Sequence, residues 1–275
     1  MSDLHTLFDI QGQTAVVTGG SGVLGRTMCL ALAQAGARVV VIGRQSEKAS
    51  KVAEEIRAAG GEALGIACDV TKRDELERAL EQITSAYGPI DILVNGAGGN
   101  QVNATTSPER SFFDLDEQAI EDTMRLNFRG TLLPCQIFGR TMAERGQGCI
   151  VNISSMAAIR PMTRVVAYAA AKAAIVNFNQ WLAVLMARDY SPKIRVNAIA
   201  PGFFLTAQNR YVMVDEKTGD YSERAKTIIA HTPAGRLGEA EELVGTLLWL
   251  VSPASVFVTG IVVPVDGGFS SYAGV

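Results

Sequence analysis

The feature that most constrains this chain is a rhythm. Seven short apolar runs recur along it: TAVVT, ARVVVIG, EALGIACDV, IDILVN, GCIVNIS, IRVNAIA and GIVVPVD. Between the first four lie VLGRTMCLALAQAG, SEKASKVAEEIRAAGG and KRDELERALEQITSAYG, all of helical make-up. Val- and Ile-rich runs without polar alternation suit strands buried on both faces. Alternation with helices predicts an α/β fold, a parallel sheet of about seven strands with helices on both sides. Right-handed crossovers make a doubly wound sheet the default arrangement. No Pro/Gly/Ser linker and no repeat divides the chain, so residues 1–275 are expected to form one domain. Residues 203–236 break the rhythm. They are polar, carry DEKTGDYSER and lack a strand signal, so they read as an inserted lid over a substrate.

Charge and composition exclude several functions. The formal net charge is −3 and no Lys/Arg run appears, which argues against a nucleic-acid partner. No uninterrupted apolar run reaches the roughly 18 residues of a membrane helix. The nearest, GTLLWLVSPASVFVTGIVVPV, is broken by Ser252, Pro253 and Gly260. The opening MSDLHTLFDI lacks the basic start and apolar stretch of a signal peptide. Cys29, Cys68, Cys135 and Cys149 show no C-x-x-C spacing, so reduced thiols and a cytoplasmic location are expected. His5 and His231 are the two histidines and neither has metal-ligand spacing. No metal site is expected.

TAVVT ends at Thr18 and runs directly into Gly19-Gly20-Ser21-Gly22-Val23-Leu24-Gly25, opening a helix. Gly20, Gly22 and Gly25 form a G-x-G-x-x-G of the Rossmann type. In that reading the first glycine makes a tight turn, the second admits a pyrophosphate and the third packs helix on strand. The helix start offers unpaired N–H groups to phosphate. A glycine-rich turn that merely reverses the chain is the bland alternative. The second run should end near Gly43, where Asp or Glu would meet a free ribose 2′-OH. Here Arg44 follows instead, and a guanidinium there can grip a 2′-phosphate. The expected cofactor is therefore NADP, with NAD the alternative if Arg44 is only a solvated loop residue. Asp69, followed by Val70, is expected to close the third strand, where its carboxylate could meet an adenine amino group or cap the next helix. The fourth run leads into Asn95-Gly96-Ala97-Gly98-Gly99, small residues that leave room for a ligand.

The strand GCIVNISS ends in Ser154-Ser155, and Tyr168-Ala-Ala-Ala-Lys172 follows in a helical stretch. Positions i and i+4 share a helix face, so Tyr168 and Lys172 project together. A free phenol titrates near about 10. A nearby cation favours phenolate and lowers that value, bringing a proton donor towards working pH.

With these residues in place, the sequence resembles the short-chain dehydrogenase/reductase family over nearly its whole length. Tyr168 and Lys172 match the family's Tyr-x-x-x-Lys. Its catalytic serine lies thirteen residues before the tyrosine, which selects Ser155 over Ser154. Its N-x-A-G matches Asn95, Ala97 and Gly98. Its helix asparagine matches Asn127, its P-G matches Pro201-Gly202, and Thr206 follows as a carboxamide partner. Asp266-Gly267-Gly268 matches its D-G-G. One departure is Val23, which stands where the family's middle glycine belongs. The resemblance implies a nicotinamide-dependent oxidoreductase acting on a carbonyl or alcohol. Tyr168 would move the proton, Ser155 would steady the substrate oxygen, and Lys172 would lower the tyrosine pKa and hold the ribose. Asn127 would hold a water between the lysine and solvent.

Within the family the segments NGAGGNQVNATT, NFRGTLLPCQ and NAIAPGFFLTAQNR resemble mannonate oxidoreductases (fructuronate reductases), and less closely gluconate 5-dehydrogenases. Polar groups surround the expected site: Asn100, Gln101 and Asn103, then Arg160 and Arg164, then Gln208, Asn209 and Arg210. Asn100, Arg160 and Gln208 are the expected substrate contacts, suited to a sugar acid with hydroxyls and one carboxylate. Met156, Phe203 and Phe204 keep open an apolar pocket, as a 3-oxoacyl-thioester reductase needs. A dinucleotide-binding regulator is the competitor outside enzymology. Finally, the stretch Val166–Ala187 is apolar over much of its circumference, which suggests a subunit face, and the resemblance implies a homotetramer. Ser270 to Val275 are a second candidate for an interface.

Overall fold

The computed structural model describes residues 4–206, 210–215 and 218–274. A helical turn, α1 (Leu4–Leu7), precedes β1 (Thr14–Thr18), α2 (Val23–Gln34), β2 (Arg38–Gly43), α3 (Ser46–Ala58), β3 (Ala63–Ala67), α4 (Arg73–Tyr87) and β4 (Ile92–Asn95). Then α5 (Glu117–Met124) passes through a π-helical turn, Arg125–Arg129, into α6 (Gly130–Arg145). β5 (Gly148–Ile153), α7 (Val166–Leu185) and β6 (Ile194–Pro201) follow. The last part holds α8 (Arg210–Met213), α9 (Glu223–Ala230), α10 (Val244–Val251) and β7 (Val262–Val265).

The seven strands form one parallel sheet in the order β3-β2-β1-β4-β5-β6-β7. All seven apolar runs of the sequence became strands of it. Every residue of β1 and of β6 is buried, because helices cover both faces. Ala15, Val17, Val39 and Val41 point to one face and pack with Met28, Val52 and Leu247 of α2, α3 and α10. Val16, Val40 and Ile42 point to the other and pack with Leu76, Phe138 and Leu182 of α4, α6 and α7. β3 ends at Ala67, two residues earlier than Asp69. Cys68 still donates its N–H to Gly43 at 3.0 Å, but the Lys72 N–H then turns back onto the Asp69 carbonyl.

A line of buried amides crosses the centre of the sheet. Asn95 donates to Asn152 Oδ1 at 2.9 Å, Asn152 to Asn179 Oδ1 at 3.1 Å, and Asn179 to the Ile261 carbonyl at 3.3 Å. Buried amides are costly unless paired, so this line fixes α7 against β4 and β5. That sets where the start of α7 meets the carboxyl ends of the strands.

β1 is the switch point, with β2 on one side and β4 on the other. Ligands of such sheets bind in the crevice where the strand order reverses. The loops after β1 and β4 touch there: a Cβ on Gly19 would stand 2.7 Å from the Gly96 oxygen. The described part of 203–238 carries α8 and α9 and single bridges, Phe204 to Gly238 and Val214 to Tyr221. It packs a small apolar cluster of its own, with Met213, Val214, Ala225 and Ile228 against Phe203 and Phe269.

Candidate active site

A groove of about 830 Å³ follows the carboxyl edge of the sheet. The turn between β1 and α2 forms one end. Gly19, Ser21, Gly22, Val23, Leu24 and Gly25 all line it. Gly20 does not, which corrects the expected division of labour among the glycines. Its N–H bonds the Ile42 carbonyl at 3.0 Å, and a Cβ there would meet the Val17 oxygen at 2.9 Å. Gly19 makes the tight turn, with φ +67°, a conformation glycine adopts freely. A Cβ on Gly25 would collide with the Gly19 carbonyl, so Gly25 packs helix on turn as expected. Gly22 is the N-cap of α2 and no side chain caps that helix. Around its missing Cβ only the Gly19 oxygen is near, at 3.3 Å. The turn therefore offers helix N–H groups to an open space, and this cradle fits a pyrophosphate. Val23, at the family's middle-glycine position, is the first residue of α2 and lines the groove.

The strip after β2 is basic. Arg44, Gln45 and Lys48 line the groove, and Arg44 and Lys48 are both exposed. Lys48 escaped the sequence reading; it stands in the first turn of α3, just after the Arg44 loop. No acid occupies position 43: a Cβ on Gly43 would collide with Ser21 Oγ. Cys68 and Val70 line the groove near the adenine end, whereas Asp69 is not part of its wall. Asp69 Oδ1 accepts from the Thr71 N–H at 2.9 Å and from its hydroxyl at 2.8 Å. It does not cap α4, whose N-cap is Lys72. Further along, Gly96, Ala97 and Gly98 line the groove, and so do Pro201, Gly202 and Thr206. Asn95 is a correction: it is 1% exposed and lies beneath the groove, joined to Asn152 and to Cys135.

Tyr168 and Lys172 lie within the first two turns of α7 and both reach the groove. Lys172 is 4% exposed and its Nζ donates to the Ile153 carbonyl at 2.8 Å. Burial holds its ammonium down to about 8. The Nζ also lies 5.6 Å from the centre of the Tyr168 ring. The Ser155 hydroxyl faces the Tyr168 phenol closely enough to draw its pKa down, and the Ser155 Oγ accepts from the Ala157 N–H at 3.1 Å. Ser154 turns the other way and donates to the Lys172 carbonyl at 3.0 Å. The structure thus brings Ser155 to the tyrosine.

The electrostatics differ from the sequence expectation. Burial pushes the Tyr168 phenol above its ordinary value, and the Ser155 hydrogen bond pulls it partly back. The Lys172 ammonium is engaged by the Ile153 carbonyl, 5.6 Å from the centre of the phenol ring.

Asn127 sits in the π-helical turn and is fully buried. Its Nδ2 donates to the Gly99 carbonyl at 2.7 Å and to the Thr123 carbonyl at 2.8 Å, and its Oδ1 accepts from the Gly99 N–H at 3.2 Å. It clamps the loop after β4. A Cβ on Gly98 would stand 2.6 Å from Asn127 Oδ1 and 3.2 Å from Lys172 Nζ, so Asn127 and Lys172 meet at this glycine.

The expected substrate contacts divide. Asn100 lines the groove and its Nδ2 donates to Thr105 Oγ1 at 2.7 Å. Arg160 is engaged elsewhere: its Nε donates to the Ser270 carbonyl at 2.7 Å and it is not part of the groove wall. That bond folds the C-terminal segment back onto its own chain. Gln208 and Asn209 lie outside the described residues.

A doubly wound sheet with a phosphate cradle and a Ser-Tyr-Lys cluster on the same edge defines a nicotinamide-dependent oxidoreductase acting on CH–OH groups. Residues 13–217 match the short chain dehydrogenase family, and the chain belongs to it. It is 48% identical to an uncharacterized oxidoreductase of Bacillus subtilis, UxuB, over the whole of both chains. A structure of a candidate D-mannonate oxidoreductase from Haemophilus influenzae with bound NAD superposes with a TM-score of 0.93, at 42% identity over 99% of this chain and 100% of that one. A gluconate 5-dehydrogenase from Burkholderia cenocepacia, in complex with NADP and tartrate, gives 0.87 at 32% identity, over 98% and 100%. Among the described residues no helix is long and apolar enough to cross a membrane.

Proposed function

We propose that this enzyme interconverts a ketone and a secondary alcohol on a sugar acid of the fructuronate/mannonate kind, with NADP as the preferred cofactor. The observation that carries the reading is that Ser155, Tyr168 and Lys172 line one groove together with the polar Asn100 and Thr206. When bound, the nicotinamide supplies or accepts the hydride. Tyr168 Oη delivers a proton to the carbonyl oxygen in reduction and takes it back in oxidation. Ser155, its Oγ oriented by Ala157, donates to the same oxygen as charge develops there. Lys172 holds the strand end and the cofactor ribose, and Asn127 keeps the loop after β4 open beside it.

Arg44 and Lys48 support the cofactor preference, since two cations flank the place where an acid would reject a 2′-phosphate. NAD is carried by the Haemophilus relative and remains the alternative. A sugar acid is favoured over an acyl chain because Asn100, Ser155 and Thr206 stand in the groove beside Phe203 and Phe204, while Met156 is withdrawn from its wall. Met156 is 2% exposed and Phe204 5%. Gluconate 5-dehydrogenase chemistry is the second reading, supported by the Burkholderia relative. The segment 203–236 acts as the lid of a single domain. Trp181 and Val184 on α7 are each 58% exposed, which supports a homotetramer assembled partly through that helix. Four buried, unpaired cysteines suit a reducing cytoplasm.

A screen of sugar acids, neutral polyols and β-ketothioesters with both cofactors, followed at the reduced-nicotinamide absorbance, tests this. Turnover confined to sugar acids is expected. Activity with thioesters alone would reject the substrate class.

A further inference from the structure

Side chains of β5 alternate between the two faces of the sheet. Ile150 joins the buried cluster that holds Leu182 of α7, and Asn152 donates to Asn179 Oδ1 of the same helix at 3.1 Å. Ser154 stands one residue past the strand, yet its N–H still bonds the Ile199 carbonyl of β6 at 2.8 Å. The pairing and the alternation therefore run on to it. Its hydroxyl is the next contact in this row and donates to the Lys172 carbonyl at 3.0 Å. Only then does the chain bend, with Ser155 as the N-cap of the turn Met156–Ala158.

Lys172 is thus held twice by two consecutive residues. Its Nζ donates to the Ile153 carbonyl at 2.8 Å, and its own carbonyl accepts from Ser154. Lys172 is 4% exposed and Ser154 2%, and both line the groove. On the side of the loop after β4 the ammonium meets Gly98, where a Cβ would stand 3.2 Å from Nζ. Ile153 and Gly98 bound the ammonium, but neither fixes where its long, flexible stem begins. That is set by how close α7 stands to the strand end, which the Ser154 bond controls. The helix does not need this bond for its own sake. Within α7 the Lys172 carbonyl has a partner one turn on, and a carbonyl oxygen has a second lone pair to offer.

We propose that Ser154 is a positioning residue for Lys172, holding its backbone so that the ammonium is presented to the cofactor ribose. This rests on the role given to Lys172 above. Ser155 faces Tyr168 and takes part in the chemistry; Ser154 faces α7 and acts through the lysine alone.

The test is a double-mutant cycle on cofactor affinity, which needs no substrate and so stands apart from the sugar-acid reading. Dissociation constants of NADPH and NADH are measured by fluorescence titration for wild type, Ser154→Ala, Lys172→Met and the double variant. Asn179→Ala, alone and with Lys172→Met, is the control that loosens α7 about two turns further along. Ser154→Ala should weaken both cofactors about three- to ten-fold, the range of one hydrogen bond, because both carry the same nicotinamide ribose. In the Lys172→Met background no ammonium is left to place, so the same change should cost about two-fold or less. Asn179→Ala should lower the melting temperature, and any cost in affinity should be equal in both backgrounds. The proposal is overturned if Ser154→Ala binds like wild type, or if its loss is as large without the lysine as with it. It also falls if Asn179→Ala couples to Lys172 as strongly, since the effect would then belong to the whole helix. Undiminished affinity in Lys172→Met would overturn it together with the role given to the lysine.

Discussion

Lys172 Nζ donates to the Ile153 carbonyl at 2.8 Å, tying α7 to the last residue of β5. The ammonium is thereby directed at the sheet, 5.6 Å from the centre of the Tyr168 ring. A charged group in this place is a thermodynamic burden that the fold carries for another purpose.

Stability should therefore improve when the lysine is removed. Burial holds its pKa at about 8, below the roughly 10.4 of an unfolded lysine. Between those values the unfolded chain binds more protons, so stability rises with pH across the window and is lowest beneath it. The difference amounts to about 3 kcal/mol at neutral pH, offset by about 1 kcal/mol for the lost hydrogen bond to Ile153. Lys172→Met should melt several degrees above wild type at pH 7, with the gap closing as pH climbs past 8. Differential scanning fluorimetry over pH 6–10.5 checks this. A gap that ignores pH would refute the account.

The proton chemistry of Tyr168 predicts a shift in a pH profile. Alcohol oxidation needs the phenolate, so kcat/KM for oxidation rises with pH along a limb set by this tyrosine. Burial places that limb high, and Ser155 is what draws it down. Ser155→Ala should slow the reaction by about 10²–10³-fold and move the limb to higher pH. Tyr168→Phe should abolish turnover and still bind reduced cofactor. A slower Ser155→Ala enzyme with an unmoved limb would confine the serine to the substrate oxygen.

Gly98→Ala tests the meeting of Asn127 and Lys172. The added methyl would stand 2.6 Å from Asn127 Oδ1 and 3.2 Å from Lys172 Nζ. Overpacking of this kind costs about 1–3 kcal/mol, and relief requires Asn127 to release Gly99. We expect a lower melting temperature and a fall in kcat larger than that of Asn127→Ala alone. Unchanged kinetics would show that the loop yields without effect on the lysine.

The sheet was legible because parallel strands buried on both faces need unbroken apolar runs, and seven such runs stand out. The catalytic pair was legible because both members share one helix. What the sequence concealed depends on side-chain direction. Asn95 and Gly20 sit in motif positions yet point away from the groove, into the buried amide line and onto Val17. Arg160 and Arg164 are equally basic on paper, and only the fold shows the first held by Ser270.

Cofactor choice should follow the basic strip. A hydrogen bond to a charged group contributes about 1.5–3 kcal/mol, which is roughly ten- to a hundred-fold in affinity per contact. Arg44→Ala and Lys48→Ala should each weaken NADPH by about that factor and leave NADH nearly unchanged. Conversion to NAD preference should succeed with Arg44→Asp and fail with Gly43→Asp, because any side chain at 43 strikes Ser21 of the phosphate turn. Fluorescence titration of both reduced cofactors decides it. Equal loss for NADPH and NADH would mean the strip reads shared parts of the cofactor.

Assembly can be tested on two separate faces. On α7, Trp181 and Val184 are one turn apart and each 58% exposed, and Trp181 stacks on Phe178 with ring centres 6.3 Å apart. Residues three apart share a face, so this is a continuous apolar strip. The opposite side of α7 is closed: Ala183 is 2% exposed and meets the loop at Gly260. Beyond that loop stand Val256, 74% exposed, and Phe257, wholly exposed. A tetramer with two-fold axes needs two kinds of self-complementary contact, and these two patches can supply one each. An aspartate in the middle of either would bury an unpaired charge. Trp181→Asp and Phe257→Asp should each halve the mass seen by light scattering, and the double variant should give the 29.3 kDa protomer. A protomer mass for wild type, or full mass for all three variants, would remove these faces from assembly.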